Sequence, residues 1–328
     1  MIMTTENLVI AIPSKGRLQE NANNFFGKAG LKVKQSGGGR EYVGTLKGVP
    51  NVDIAFQSAS EIAGNLDQGL IHFGITGEDL IREKIETPEA SVDLLLPLGF
   101  GHADVIVAVP QSWIDVATVS DLDEVAHAYR VRRATRLRVA TKYFNLTRKF
   151  FADHDLADYR IVESLGATEG APAAGSAEVI VDITSTGTTL RANNLKVLDD
   201  GVILRSQANL VASLTAQWSP TAKEAARAIL DKIDARKRAE NSWLVTARGR
   251  FDAVAEGEAL TAEHDCVVEQ AHDGATGSLS LQCPASALQA VADQLRSKGA
   301  ETVSVVKAEY VFSNANPLFD RLMQRLGD

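Results

Sequence analysis

Glu178-Val-Ile-Val-Asp-Ile-Thr-Ser-Thr-Gly-Thr-Thr-Leu190 sets an apolar run, one acid and a string of hydroxyls around a glycine end to end. Val179 to Ile183 are β-branched and apolar enough for a buried parallel strand. The following Thr184-Ser-Thr-Gly-Thr-Thr189 cannot usefully extend that strand, so the chain must turn there. Gly187 permits close backbone approach to a ligand. Successive N–H groups in such a turn form an anion-binding concavity, completed if a helix starts at Thr188 or Thr189. Asp182 stands at its rim, badly placed for phosphate but well placed for ribose hydroxyls or for a magnesium ion carried by a diphosphate. Taken alone, the segment can also be read as a Ser/Thr turn that caps a helix.

The same succession of strand, turn and helix recurs outward from this stretch. Leu8 to Ile12 is an apolar strand ended by Pro13, and Ser14-Lys15-Gly16-Arg17 leads into a helix from Leu18 to Lys28. Two cations beside a helix start suit a phosphorylated ligand, although a solvated turn has the same composition. Gly37 to Arg40 reads as a surface loop, and Ser60 can cap a helix through Leu70. Ile71 to Ile75 runs into Thr76-Gly77-Glu78-Asp79 and a helix from Leu80; His72 reads as a packed strand histidine, since no ligand partner stands at metal spacing. Ala140 precedes another hydroxyl-bearing turn, in which Tyr143 could stack on a purine. Glu169 is the one charge in the small-residue segment Gly166 to Gly175. Five arginines between Arg130 and Arg138 read as a solvated face rather than a phosphate site.

This alternation is α/β, with ligand turns gathered at strand ends between two lobes. The expected boundaries are residues 1–101 with 187–240 for one lobe and 102–186 for the other. Beyond Asn241 the pattern becomes βαββαβ, a ferredoxin-like unit expected over residues 241–328.

Composition narrows the function. With 34 Lys+Arg against 42 Asp+Glu the formal charge is 34 − 42 = −8, which argues against a general nucleic-acid or acidic-membrane binder. Anions must therefore be caught locally. The N-terminus has no basic leader pattern and no apolar run approaches the roughly 18 residues of a membrane span, so the chain is expected to stay in the cytoplasm. Cys266 and Cys283 lack metal-ligand spacing and read as core fillers. No metal ligand set is legible.

Six ordered motifs give the chain a resemblance to ATP phosphoribosyltransferases of the long form: Ala11 to Leu18, Phe73 to Asp79, Leu98 to Gly101, Ala140 to Leu146, Gly166 to Pro172 and Asp182 to Leu190. The resemblance implies two lobes like those of a periplasmic binding protein, followed by an ACT-like regulatory domain. It implies condensation of ATP with phosphoribosyl pyrophosphate in the presence of Mg²⁺, inhibition by histidine, and a homo-oligomer, a hexamer in the family. Asp182, Thr184, Ser185, Thr186, Gly187, Thr188 and Thr189 would then hold phosphoribosyl pyrophosphate, with Lys15, Gly16 and Arg17 reaching its pyrophosphate. Asp79, Leu80, Tyr143 and Glu169 would serve the nucleotide or the ribose.

One segment departs from the family. Where it commonly carries Arg-x-x-Asp-Ile-Pro, this chain has Ser58-Ala-Ser-Glu-Ile-Ala63, so either Arg17 or Arg40 supplies the cation or nucleotide binding is weakened. Residues after Phe312 extend past the family pattern and read as a docking helix. Two rival readings follow from the same residues. A solute-binding protein would share the fold but needs an export signal, and a non-catalytic regulatory paralogue would explain the missing arginine but not the retained Lys15 and Asp182.

Overall fold

The computed structural model describes residues 6–35 and 43–327. In chain order, β1 (Leu8–Pro13), α1 (Gly16–Lys28), β2 (Lys32–Gln35), β3 (Val43–Lys47), β4 (Val52–Gln57), α2 (Ala59–Asp67), β5 (Phe73–Gly77), α3 (Glu78–Lys84), α4 (Pro88–Ser91) and β6 (Val92–Pro97) build the first lobe. The second holds β7 (Asp104–Pro110), α5 (Val119–Arg133), β8 (Leu137–Thr141), α6 (Phe144–Asp153), β9 (Tyr159–Glu163), β10 (Val179–Thr184), α7 (Thr188–Ala192) and β11 (Leu195–Leu204). Then β12 (Ala208–Ser213) rejoins the first sheet, whose order is β2-β3-β4-β1-β5-β12-β6; the second sheet runs β11-β7-β10-β8-β9. This is the expected two-lobed α/β plan, with one sheet in each lobe.

The return crossing differs from the expected one at Gly187. β11 pairs antiparallel with β7 of the second sheet, so the chain goes back only after Leu204. The sequence misleads here because the hydroxyl turn looks like a boundary, whereas Leu190 and Leu195 behind it are buried in the second lobe beside Ile106 and Ile180.

Strand burial follows the sequence in most strands, but β10, expected as a buried parallel strand, runs parallel to β8 and antiparallel to β7, and Ile183 near its end is exposed. β1 is buried at all six residues because β4 and β5 flank it on both sides. Val9, Ala11, Ala55, Ile62 and Leu66 form a core on one face. In the second lobe Val105, Val107, Val139, Val179 and Val181 do the same. Burying a side chain of this size contributes about 1.5–3 kcal/mol.

His72 is packed, as its surroundings in sequence suggest. Its Nδ1 accepts the Val9 N–H at 3.0 Å and its Nε2 lies 3.0 Å from the Gln217 carbonyl, a pairing that needs a neutral ring protonated on Nε2. Trp218 meets it edge-on. The α2 cap lies two residues before the expected one: Ser58, not Ser60, accepts the Glu61 N–H, while Glu61 accepts the Ser58 N–H. Such a reciprocal box satisfies two donors at once and beats a serine already inside the helix.

By compactness the chain divides into two units. One comprises residues up to Phe25, Lys32–Ala225 and Arg321 onward; the other comprises Phe26–Leu31 and Ala226–Asp320. The second unit contains most of α8 (Pro220–Asn241), then β13 (Ser242–Gly249), α9 (Ala253–His264), β14 (Val267–His272), β15 (Gly277–Pro284), α10 (Leu288–Ser297) and β16 (Ala300–Val306). Its sheet order β14-β15-β13-β16, antiparallel throughout, is the ferredoxin-like order. Cys266 and Cys283 are free and buried in its core, where burial pushes the Cys266 thiol up to about 12.

The C-terminal stretch does form a helix, α11 (Pro317–Leu326), with Asn316 accepting the Phe319 N–H at its start. Arg321 pairs with Asp93, and Arg325 donates to the Glu89 carbonyl. The arginine run is partly paired rather than wholly solvated. Arg130 meets Asp158 at 2.5 Å, Arg138 forks onto Glu178, and Arg133 lies over the Tyr129 ring. No helix among the described residues is long and apolar enough to cross a membrane.

Candidate functional site

β10 ends at Thr184 because the chain takes a left-handed turn at Gly187, whose φ is +69°. A side chain there would be strained, and its Cβ would press on Arg191 Nη1 at 3.1 Å. The turn is braced from inside. Thr184 Oγ1 accepts the Gly187 N–H at 2.9 Å, Thr186 and Thr188 hydroxyls lie 3.0 Å apart, and Arg191 donates to the Thr186 carbonyl at 3.2 Å. Ser185 Oγ donates to the His102 carbonyl, which ties the turn to the loop before β7.

A cavity of about 300 Å³ opens on this turn, lined by Asp182 to Thr186, Thr188, Thr189, Leu190 and Glu169. The structure thus brings together the whole hydroxyl run, Asp182 and Glu169. Burial raises the Asp182 carboxyl above the ordinary carboxylate range and the nearby Glu169 adds to this, while the Ile183 N–H and Lys142 oppose it. A carboxylate held in this way favours a partner that supplies positive charge or hydroxyl protons.

Asp79 and Tyr143 are brought together elsewhere. Asp79 is 5% exposed; its Oδ2 accepts the Tyr143 hydroxyl at 2.8 Å and its Oδ1 accepts the Ser206 hydroxyl at 2.8 Å. Ser206 in turn accepts the Asp79 N–H at 3.0 Å. Gly77 makes room for this arrangement, since a Cβ there would lie 2.2 Å from Asp79 Oδ1. Tyr143 is 1% exposed and sits in the second-lobe core, so it offers no ring face to a purine. Its apolar ring is worth more packed against Val139 and Phe151 than held in solvent. Leu80 is half-buried against the cores of both lobes.

Sequence reasoning passed over Glu83. It is 7% exposed, and its carboxylate accepts the N–H groups of Asn145 and Leu146 at 3.0–3.1 Å, capping α6 from the other lobe. Asn145 returns a bond to the Glu83 carbonyl. Desolvation raises the Glu83 carboxyl against the lowering effect of those N–H groups. A signal existed in the sequence: Asp79 and Glu83 stand four apart, on one face of a helix.

Lys15, Gly16 and Arg17 are exposed at the end of β1 and line neither this cavity nor the one described below. Arg40 lies outside the described residues. Arg205 and His102, also unremarked in the sequence, line a second cavity of about 300 Å³ with Asp104, Thr184, Ser185, Ser206 and Gln207. Among the described residues no group of three or more His, Cys, Asp or Glu side chains could hold a metal by itself. Asp182 and Glu169 share a cavity, which suits magnesium, an ion usually held by one or two carboxylates together with substrate phosphates and water.

The sequence pattern of the family HisG, ATP phosphoribosyltransferase, matches residues 58–235. A Bradyrhizobium diazoefficiens protein named ATP phosphoribosyltransferase is 58% identical over 96% of this chain and 97% of its own length. One of the same name from Afipia carboxidovorans is 55% identical over 99% and 100%. Among solved structures, an ATP phosphoribosyl transferase (HisG:HisZ) complex from Thermotoga maritima is similar with a TM-score of 0.53 and 25% identity, over 69% of this chain and 96% of that one.

Proposed function

The chain belongs to the ATP phosphoribosyltransferase family, pentosyltransferases of histidine biosynthesis, and from that premise we propose that the turn from Asp182 to Thr189 holds phosphoribosyl pyrophosphate. The observation that carries this reading is the cavity in which one loop presents five hydroxyls beside two carboxylates. Hydroxyls and N–H groups grip phosphate oxygens, while Asp182 accepts from the ribose hydroxyls and Glu169 faces it across the cavity.

The reaction joins N1 of the ATP adenine to the anomeric carbon of the ribose as the bond from that carbon to the pyrophosphate oxygen breaks. The leaving group takes the electron pair, so the ribose passes through an oxocarbenium-like state. No covalent enzyme intermediate is required. The protein positions two anionic substrates in line and stabilises charge where it develops. Asp182 beside the ribose favours the cationic sugar. Lys15, with Gly16 and Arg17, approaches the departing pyrophosphate from the first lobe. Asp79, Leu80 and Tyr143 set the wall on the nucleotide side by holding the lobes together. Asp182 and Glu169, which line one cavity, would hold Mg²⁺, and the ion would supply neutralisation of the charge on the leaving pyrophosphate.

The enzyme works in the cytoplasm as a homo-oligomer, a hexamer in this reading, and the ferredoxin-like unit senses free histidine. Feedback of this kind needs histidine to favour one conformational state by about 1–3 kcal/mol. Mixing the purified full chain with ATP, phosphoribosyl pyrophosphate and Mg²⁺ and following product absorbance tests the reaction. Titrating histidine into the same assay, with the mass in solution measured alongside, tests regulation and assembly. Unchanged rates at millimolar histidine would remove the regulatory role and leave the catalytic one standing.

A further inference from the structure

The second cavity carries an assignment of its own. In the second-lobe sheet β11, β7 and β10 are neighbours, with Leu204 opposite Val105 and Asp104 opposite Thr184. Arg205, one residue past β11, therefore stands level with Asp104 and with the last strand residue before the hydroxyl turn. All three line the cavity, and Thr184 and Ser185 line both this cavity and the first. The two spaces thus share a wall.

The wall is anchored on both sides. Ser185 is bonded to the His102 carbonyl, and Ser206, next to Arg205, is 2% exposed and bonded to Asp79. Arg205 itself is exposed and, among the described residues, has no hydrogen-bond or ion-pair partner. Asp104 lines the same space without pairing with it, so the guanidinium fork stays open to a ligand. An unpaired arginine on a fixed backbone suits bidentate binding of phosphate. In a chain of net charge −8, such a local cation is what an anion needs.

We propose that Arg205 holds a phosphate group of a bound substrate in this second cavity, beside the turn that holds phosphoribosyl pyrophosphate. The inference rests on that reading of the turn. Two sources offer the same chemistry: the pyrophosphate of phosphoribosyl pyrophosphate and the triphosphate of ATP.

The test is steady-state kinetics of the full chain with Arg205→Ala and Arg205→Lys, measuring KM for each substrate and inhibition by inorganic pyrophosphate, with Asp182→Ala in parallel. Loss of a charged contact predicts a rise in one KM of about tenfold to a hundredfold in Arg205→Ala, with Arg205→Lys between it and the parent. A rise confined to phosphoribosyl pyrophosphate, with weakened pyrophosphate inhibition, identifies the diphosphate; a rise confined to ATP identifies the triphosphate. If both KM values and pyrophosphate inhibition stay within about twofold while Asp182→Ala is impaired, the arginine is merely solvated and the turn assignment survives. If Arg205→Ala and Arg205→Lys lose kcat equally with KM unchanged, its role is structural and the inference fails. If Asp182→Ala is also unaffected, the reading of the turn falls with it.

Discussion

Asp182 and the hydroxyls that follow it are where single substitutions should speak most clearly. Thr186→Ala removes an exposed hydroxyl whose partners are other turn residues, so it should raise KM for phosphoribosyl pyrophosphate with little change in melting temperature. Lys15→Ala should lower kcat/KM by roughly tenfold to a thousandfold, the scale for losing one charged contact to a developing anion; an unchanged value would leave Lys15 a solvated turn residue. Gly187 is a different kind of position. Gly187→Ala must force φ +69° on an L side chain, so about 1 kcal/mol of stability should be lost along with activity. These residues were legible because glycine, hydroxyls and one acid stand consecutively. Tyr143 was only half legible. A tyrosine in a turn motif advertises a ring, but burial among Val139, Leu146 and Phe151 and the bond to Asp79 are tertiary facts.

At the scale of elements, α3 meets α6 through polar bonds that no pattern of hydrophobicity reports. Glu83→Ala would leave two N–H groups at the start of α6 without their acceptor. It should cost about 1–3 kcal/mol, read as a lowered denaturation midpoint. Glu83→Gln keeps a carbonyl acceptor and should recover much of the loss, whereas equal losses in both variants would mean that charge rather than capping matters. Ser58→Arg, which sequence alone suggests is tolerated, should now cost about 1 kcal/mol because it removes the α2 cap. The strands were readable from their apolar runs, and so was the βαββαβ order. The crossing after Leu204 was not, because pairing of β11 with β7 joins residues nearly a hundred positions apart and leaves no local mark.

For the molecule as a whole, pH acts through a group far from the chemistry. Burial lowers the His72 pKa below its ordinary 6.5, against the opposing bond to the Gln217 carbonyl. The unfolded chain therefore takes up the proton first as pH falls. The stability contributed by neutral His72 is present above 6.5 and is lost progressively from there down to the depressed value. A melting-temperature profile should show this acid decline, and it should flatten in His72→Gln even if that variant is less stable at neutral pH. A decline of the same steepness in the variant would assign it to other groups.

The central claim is that the turn after β10 binds phosphoribosyl pyrophosphate, and isothermal titration tests it most directly. Phosphoribosyl pyrophosphate with Mg²⁺ is titrated into the parent chain and into Asp182→Ala, with ATP titrated separately into both. The account predicts that phosphoribosyl pyrophosphate binds the variant at least about tenfold more weakly while ATP affinity stays within about twofold. Equal affinity of both proteins for phosphoribosyl pyrophosphate would contradict it.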